Sequence, residues 1–175
     1  MTKVWSLAVH GGAGPLRAAD YTAAESHMRR TLEQGAGLLE RGCRALDVVE
    51  TMVEALESSG HHVAGRGSSP NAAGQWELDA AIMDGERRRA GAVAALRGFK
   101  SPIKAARRVM DQSPHVLLVG KGAGRFAGAQ GLERVWNPAR YYTPAVRIPV
   151  RAGELAHGTV GAVALDSHGD LAAAT

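Results

Sequence analysis

The run His157-Gly158-Thr159-Val160-Gly161-Ala162-Val163-Ala164-Leu165-Asp166 decides how this chain is read, together with the turn Ser167-His168-Gly169-Asp170 and the return Leu171-Ala172-Ala173-Ala174-Thr175. From Val160 onward small and β-branched residues alternate, a turn follows, and a second small-residue run comes back. That is the pattern of two short strands joined by a tight hairpin. Thr159 stands at the first strand position, directly after a glycine. A Gly-Thr bond placed there can be cut by the threonine's own hydroxyl. Attack on the Gly158 carbonyl gives an ester, and its hydrolysis leaves Thr159 as a new N-terminus. The freed residue carries nucleophile and base together, because an α-amine has an unperturbed pKa of about 8. Spacing alone favours a plainer description, a β-branched residue that starts a buried strand.

The rest of the chain sets bounds on that reading. Its 175 residues suffice for one core. With 45% hydrophobic but only 5% aromatic content, that core is expected to be built mostly from Ala, Val and Leu. A single cysteine, Cys43, excludes an internal disulfide framework and a multi-cysteine metal site. The only apolar run near the start is Val4 to Val9, so neither a signal peptide nor a membrane span is expected, and a cytoplasmic setting is the default. The net charge of +4 comes mostly from dispersed arginines; the triplet Arg87-Arg88-Arg89 follows Asp84-Gly85-Glu86 and reads as a solvated loop tip. Nucleic acid is therefore not expected as a partner.

In chain order, Val4 to Val9 reads as a buried strand turned by His10-Gly11-Gly12-Ala13-Gly14-Pro15, where adjacent glycines permit close approach of another segment. Tyr21 to Arg41, with Met28, Leu32, Leu38 and Leu39, suits an amphipathic helix ended by Gly42. Ala45 to Leu56 repeats the pattern through Leu46, Val49, Val53 and Leu56, and Leu56 to Asn71 is a loop. His61-His62 within it has no partner at helical spacing and makes a poor zinc site. Glu77 to Gly85 and Arg89 to Leu96 form a hairpin, in which Glu77 and Asp79 share a face and read as salt-bridged rather than catalytic. Pro102 opens a helix to about Met110. His115 to Gly120 is a strand, and the Gly122-x-Gly124-x-x-Ala127 pattern after it copies a dinucleotide fingerprint without the acidic strand end that such a fold needs. It reads as a glycine-assisted strand-to-helix turn. From about Gly131 to His157 the chain is polar and proline-broken, a plausible linker to the cleavage point.

Four stretches carry a family likeness. They are residues 8–15 (AVHGGAGP), 65–85 (GRGSSPNAAGQWELDAAIMDG), 101–127 (SPIKAARRVMDQSPHVLLVGKGAGRFA) and 157–175 (HGTVGAVALDSHGDLAAAT). In this order and spacing the chain resembles the plant-type asparaginase/isoaspartyl peptidase family of N-terminal-nucleophile hydrolases. The resemblance implies an α/β fold, an αββα four-layer sandwich of two stacked sheets between helices, of which this chain gives about half. It implies self-activation by cleavage at Gly158-Thr159, catalysis by Thr159, and hydrolysis of asparagine's side-chain amide and of β-aspartyl dipeptides. The His10-Gly11-Gly12 loop would lie beside the scissile bond. No organic cofactor is implied; a structural sodium ion would be wrapped by the backbone carbonyls of Leu56, Glu57, Ser59, His62, Ala64 and Arg66.

Residues 1–158 would be the leading subunit, with a mobile linker at about 131–157, and residues 159–175 the start of the trailing one. The implied assembly is a dimer of such heterodimers. Val63 stands where the family usually has Asn close to the nucleophile. A further threonine, an Arg/Asp pair that grips substrate, and a Thr-Gly oxyanion hole would lie beyond Thr175. A catalytically silent partner piece and a basic nucleotide-binding module remain the competing readings.

Overall fold

The computed structural model describes residues 4–12, 20–143 and 158–175. The expected turn at 13–15 and the linker at 144–157 lie outside the described residues. Strands β1 (Ser6–His10), β2 (Leu78–Asp84), β3 (Arg89–Leu96), β4 (Leu117–Val119), β5 (Gly161–Leu165) and β6 (Leu171–Ala174) form one sheet. Their order is β1-β5-β6-β2-β3-β4. Neighbours run antiparallel except β3 and β4, which are parallel and joined through a helix, as parallel pairs require.

Alternation along each strand gives the sheet two unlike faces. One face carries Leu7, Val9, Ala162, Ala164, Ala172, Ala174, Ala80, Ile82 and Val93, and it lies under the helices α1 (Thr22–Glu40), α2 (Ala45–Ser59), α3 (Pro102–Gln112) and α4 (Gly120–Ala129). Small side chains bring these helices close. A Cβ on Gly91 would stand 2.2 Å from the Ala106 carbonyl of α3. The other face presents Val163, Met83 and Leu117, each about half exposed, with Ala8, Ala173 and Ala81 between them. Among the described residues, one helix layer on one sheet accounts for two of the four expected layers.

The helices depart from their expected inner faces in informative ways. In α1 the buried ridge is Thr31, Gly35 and Leu39, whereas Leu32 remains 37% exposed. Gly35 decides this, because a Cβ there would reach within 2.4 Å of Leu7 and 2.7 Å of Met52. Helix α2 buries Val48, Val49, Met52, Val53 and Leu56, and runs three residues past its expected end to a left-handed Gly60, φ 75°. The loop therefore starts at Gly60 rather than Leu56. At the other end of α2, the buried Asp166 carboxylate accepts from the Ala45 N–H at 2.9 Å. Its second oxygen accepts from His168 and Asp170 in the β5–β6 turn.

Part of the stretch expected as linker is folded. Residues 131–143 pack on the body: Val135 N–H donates to Gly98 at 2.9 Å, and the buried Tyr142 hydroxyl donates to the Phe99 carbonyl at 2.9 Å. Tyr142 stacks on Trp76, and burial pushes its phenol up to about 12. A short helix α5 (Pro138–Tyr141) begins where Asn137 accepts from the Arg140 N–H. Arg87 and Arg88 do form an exposed tip, but Arg89 opens β3 and pairs with Asp84 and Asp111. Among the described residues no helix is long and apolar enough to cross a membrane.

Candidate active site

Three segments distant in sequence converge on Thr159. The first is the glycine turn after β1. Gly12 has φ +111°, and a Cβ on it would lie 2.8 Å from the Thr159 carbonyl oxygen. Only a glycine both adopts that backbone without strain and lets the chain approach so closely. His62 supports this turn from below. Its Nδ1–H donates to the Gly11 carbonyl at 3.1 Å, and a Cβ on Gly11 would press within 3.1 Å of its ring. Burial lowers the His62 pKa, with the nearby His27 and His61 rings acting in the same direction. His10 itself is exposed on β1 opposite Gly161.

The second segment is the loop after α2. Gly158 packs directly on Val63, so that a Cβ on Gly158 would fall 2.1 Å from the Val63 Cβ. The loop curls tightly around its own carbonyls. A Cβ on Gly65, φ +52°, would come within 2.5 Å of the Glu57 carbonyl oxygen, and one on Gly67 within 2.0 Å of that of His62. The Leu56 carbonyl accepts from the Ser59 hydroxyl, and that of Ala64 from the Gly67 N–H. Of the six carbonyls expected to hold an alkali ion, those of Leu56 and Ala64 thus already accept a hydrogen bond within the loop. Arg66 lies in its single 3-10 turn, Gly65–Gly67.

The third segment is the end of β6. The Thr159 hydroxyl lies 3.0 Å from that of Thr175 and 3.2 Å from the Val160 carbonyl, while the Thr175 hydroxyl donates to the same carbonyl at 2.8 Å. All of this opens into a cleft of about 1060 Å³, lined by Gly158, Thr159, Thr175, Val63 and the stretch from Ser68 to Ala72. Glu77 and Asp79 also line it, yet both are engaged. Glu77 pairs with Arg97 and accepts from Asn71, and Asp79 accepts from the N–H of Ala95 at the irregular end of the β2–β3 ladder. Glu77 is salt-bridged, as its sequence context suggested, whereas Asp79 holds a backbone N–H rather than an arginine.

Thr175 and the side chain of Glu57 escaped sequence reasoning. Thr175 looked like the end of a return strand, although counting back from the turn centred on His168 places it opposite Gly161, diagonal to Thr159. Glu57 was expected in the loop after α2, with a role only for its backbone carbonyl. It is buried, its carboxyl accepts from the Ser101 hydroxyl at 2.8 Å and the Ile103 N–H at 3.1 Å, and burial pushes its pKa up to about 8. It thereby caps α3 from the wall of the cleft. The strand-to-helix turn at Gly120, φ +55°, simply delivers β4 into α4, where Ala123 and Ala127 are buried against the core. Among the described residues no group of three His, Cys, Asp or Glu side chains is arranged to hold a metal ion.

A family model described as asparaginase matches residues 3–150. The chain is 41% identical to the isoaspartyl peptidase of Salmonella typhimurium, a match covering 97% of this chain and 61% of that protein. It is 40% identical to the Escherichia coli isoaspartyl peptidase, across 97% and 59% of the two chains. The human isoaspartyl peptidase/L-asparaginase matches at 39% identity, across 97% and 58%. The chain thus spans about three fifths of the length of these curated relatives.

Proposed function

The chain belongs to the asparaginase family, and from that premise we propose that it carries the nucleophile and the self-cleavage point of an N-terminal threonine amidohydrolase. The observation that carries the reading is the convergence on Thr159. The Gly12 backbone lies against its carbonyl, Gly158 is wedged on Val63, and its hydroxyl faces the cleft beside that of Thr175.

In the uncut chain the Thr159 Oγ attacks the Gly158 carbonyl carbon. The C–N bond to Thr159 breaks, its nitrogen takes up the hydroxyl proton, and an ester joins Gly158 to Oγ. Water then hydrolyses that ester, leaving a carboxylate on Gly158 and a free α-amine on Thr159. In the second reaction this amine accepts the proton from Oγ as the oxygen attacks the side-chain amide of asparagine, or the isopeptide bond of a β-aspartyl dipeptide. The tetrahedral intermediate collapses as the amine returns the proton to the leaving nitrogen, releasing ammonia or an amino acid. Water hydrolyses the acyl-enzyme ester and frees aspartate. Oxyanion donors are assigned to the further segment that the family resemblance implies.

The carbonyls of Leu56, Glu57, Ser59, His62, Ala64 and Arg66 would hold a sodium ion, whose positive charge would stiffen the loop beneath the cleft. The partner in this reading is a trailing subunit of the same precursor, beginning at Thr159, whose further part covers the open sheet face. Two such heterodimers would pair, in a cytoplasmic setting.

Incubation of the full-length precursor followed by intact-mass spectrometry tests the reading. A split between Gly158 and Thr159 and ammonia release from L-asparagine are expected, and Thr159→Ala must lose both. Retention of either by the Thr159→Ala protein would end it.

A further inference from the structure

We propose that Val63 is a specificity-determining residue, a steric wall that admits to Thr159 only acyl groups with an unsubstituted methylene beside the scissile carbonyl. The inference rests on the reading of Thr159 as nucleophile and deepens it.

The two reactions of Thr159 pass through esters of the same connectivity. In self-cleavage Oγ bonds to the Gly158 carbonyl carbon, the C–N bond to Thr159 breaks, and that nitrogen takes the proton. The carbon next to the carbonyl is then the Gly158 Cα, a CH2 group. In turnover Oγ bonds to the side-chain carbonyl carbon of asparagine or of a β-aspartyl dipeptide, and the leaving nitrogen departs with the proton. The carbon next to the carbonyl is now the aspartyl Cβ, again a CH2 group. Hydrolysis of the first ester vacates the position that Gly158 held, and the second ester is built there. The surroundings of Gly158 in the uncut chain therefore describe what the substrate methylene meets. A Cβ on Gly158 would fall 2.1 Å from the Val63 Cβ, 2.8 Å from Cγ1 and 3.0 Å from Cγ2. One of the two hydrogens of the methylene thus faces Val63, and no carbon substituent fits in its place. An ordinary peptide or amino-acid amide carries a substituted Cα beside its carbonyl and meets the same wall.

Val63 is held on both sides, so the wall does not simply recede. Its neighbour His62 is buried and donates from Nδ1 to the Gly11 carbonyl at 3.1 Å. Two residues further on, Gly65 packs on Glu57 so closely that a Cβ there would lie 2.5 Å from the Glu57 carbonyl oxygen. The Glu57 carboxyl is itself tied to the start of α3 through the Ser101 hydroxyl and the Ile103 N–H. Val63 lines the same cleft as Gly158 and Thr159, and a side chain fixed in this way can discriminate by one methyl group.

The test uses the full-length, self-cleaved protein and compares kcat/KM for L-asparagine with that for the two diastereomers of L-3-methylasparagine. Each diastereomer replaces a different hydrogen of the methylene by a methyl group. The wild-type protein should hydrolyse one of them about tenfold to a hundredfold more slowly than L-asparagine. The closest atom is the Val63 Cβ, so Val63→Gly should narrow that ratio at least about fivefold, and Val63→Ala, which keeps the Cβ, should narrow it less. The ratio is taken within each protein, so a general loss of activity cancels. A wild-type protein that hydrolyses both diastereomers as readily as L-asparagine would overturn the proposal, and that comparison needs no variant to fold. An unchanged ratio in self-cleaved Val63→Gly protein would overturn it as well. Asparagine hydrolysis by Thr159→Ala would remove the nucleophile reading and this proposal together. An inactive Thr159→Ala protein beside a wild type indifferent to the methyl would remove the Val63 wall alone.

Discussion

At Gly158 the requirement for glycine is steric rather than conformational, because its missing Cβ would fall 2.1 Å from the Val63 Cβ. The residue before Thr159 is thus chosen by a valine nearly a hundred positions upstream. Gly158→Ala should push the scissile peptide away from its place and slow self-cleavage at least about tenfold. Val63→Gly in the same chain, by opening the space, should recover much of that loss. A double-mutant cycle read by intact mass checks the coupling, and additive effects would contradict it. The family resemblance already put Val63 near Thr159, but only the fold shows that its Cβ lies directly under Gly158. Thr175, in contrast, was within reach of a register count from the hairpin turn.

Among the elements, the β5–β6 hairpin and α2 are tied together by one buried carboxylate. Burial works to raise the Asp166 pKa, but the N–H donors of Ala45, His168 and Asp170 outweigh it and hold the carboxyl below the usual range. A lowered folded value means that the contribution to stability is complete above the unfolded pKa and is lost as pH falls through the folded one. Asp166→Asn should cost about 1–3 kcal/mol near neutrality. Its deficit should shrink as pH drops below about 4, since the wild-type carboxyl then becomes protonated too. Thermal melts at pH 7 and pH 3 decide it; an equal deficit at both would refute the assignment. Elements with strong local signals were readable beforehand: the two helices between Tyr21 and Leu56, the hairpin around Gly85, and the proline-opened α3. What sequence could not show depends on contacts between distant residues. Gly35 sets the inner ridge of α1 through Leu7 and Met52, and Tyr142 is drawn onto the body by the carbonyl of Phe99, 43 residues away.

For the molecule as a whole, the unlike faces of the sheet matter most. Val163 and Met83 lie half exposed at an apolar depression of about 460 Å³ that involves β1, β5, β6, β2 and β3. An apolar sheet face of that kind is normally buried in a second layer. On the proposed reading, that layer also brings the oxyanion donors to Thr159. On that reading, residues 1–175 expressed alone should remain uncut during long incubation, whereas a chain that also supplies the second layer should split. A fragment beginning with Thr159 released from the short chain, detected by intact mass, would contradict this.

The hairpin's position between β1 and β2 has a consequence for reversibility. β5 and β6 are interior strands, and the other strands among the described residues all precede the proposed scissile bond, so scission after folding would leave two interdigitated peptides. While the chain is continuous, the hairpin is kept near its slot by the loop that joins them. After the cut that tether is gone, and reassembly from the unfolded state becomes an encounter between separate molecules. Heat-unfolded mature protein should then recover in proportion to its concentration or aggregate, while uncut Thr159→Ala protein refolds at a rate independent of dilution. Maturation of this kind turns an equilibrium fold into a one-way product, whose persistence is set by how slowly it comes apart.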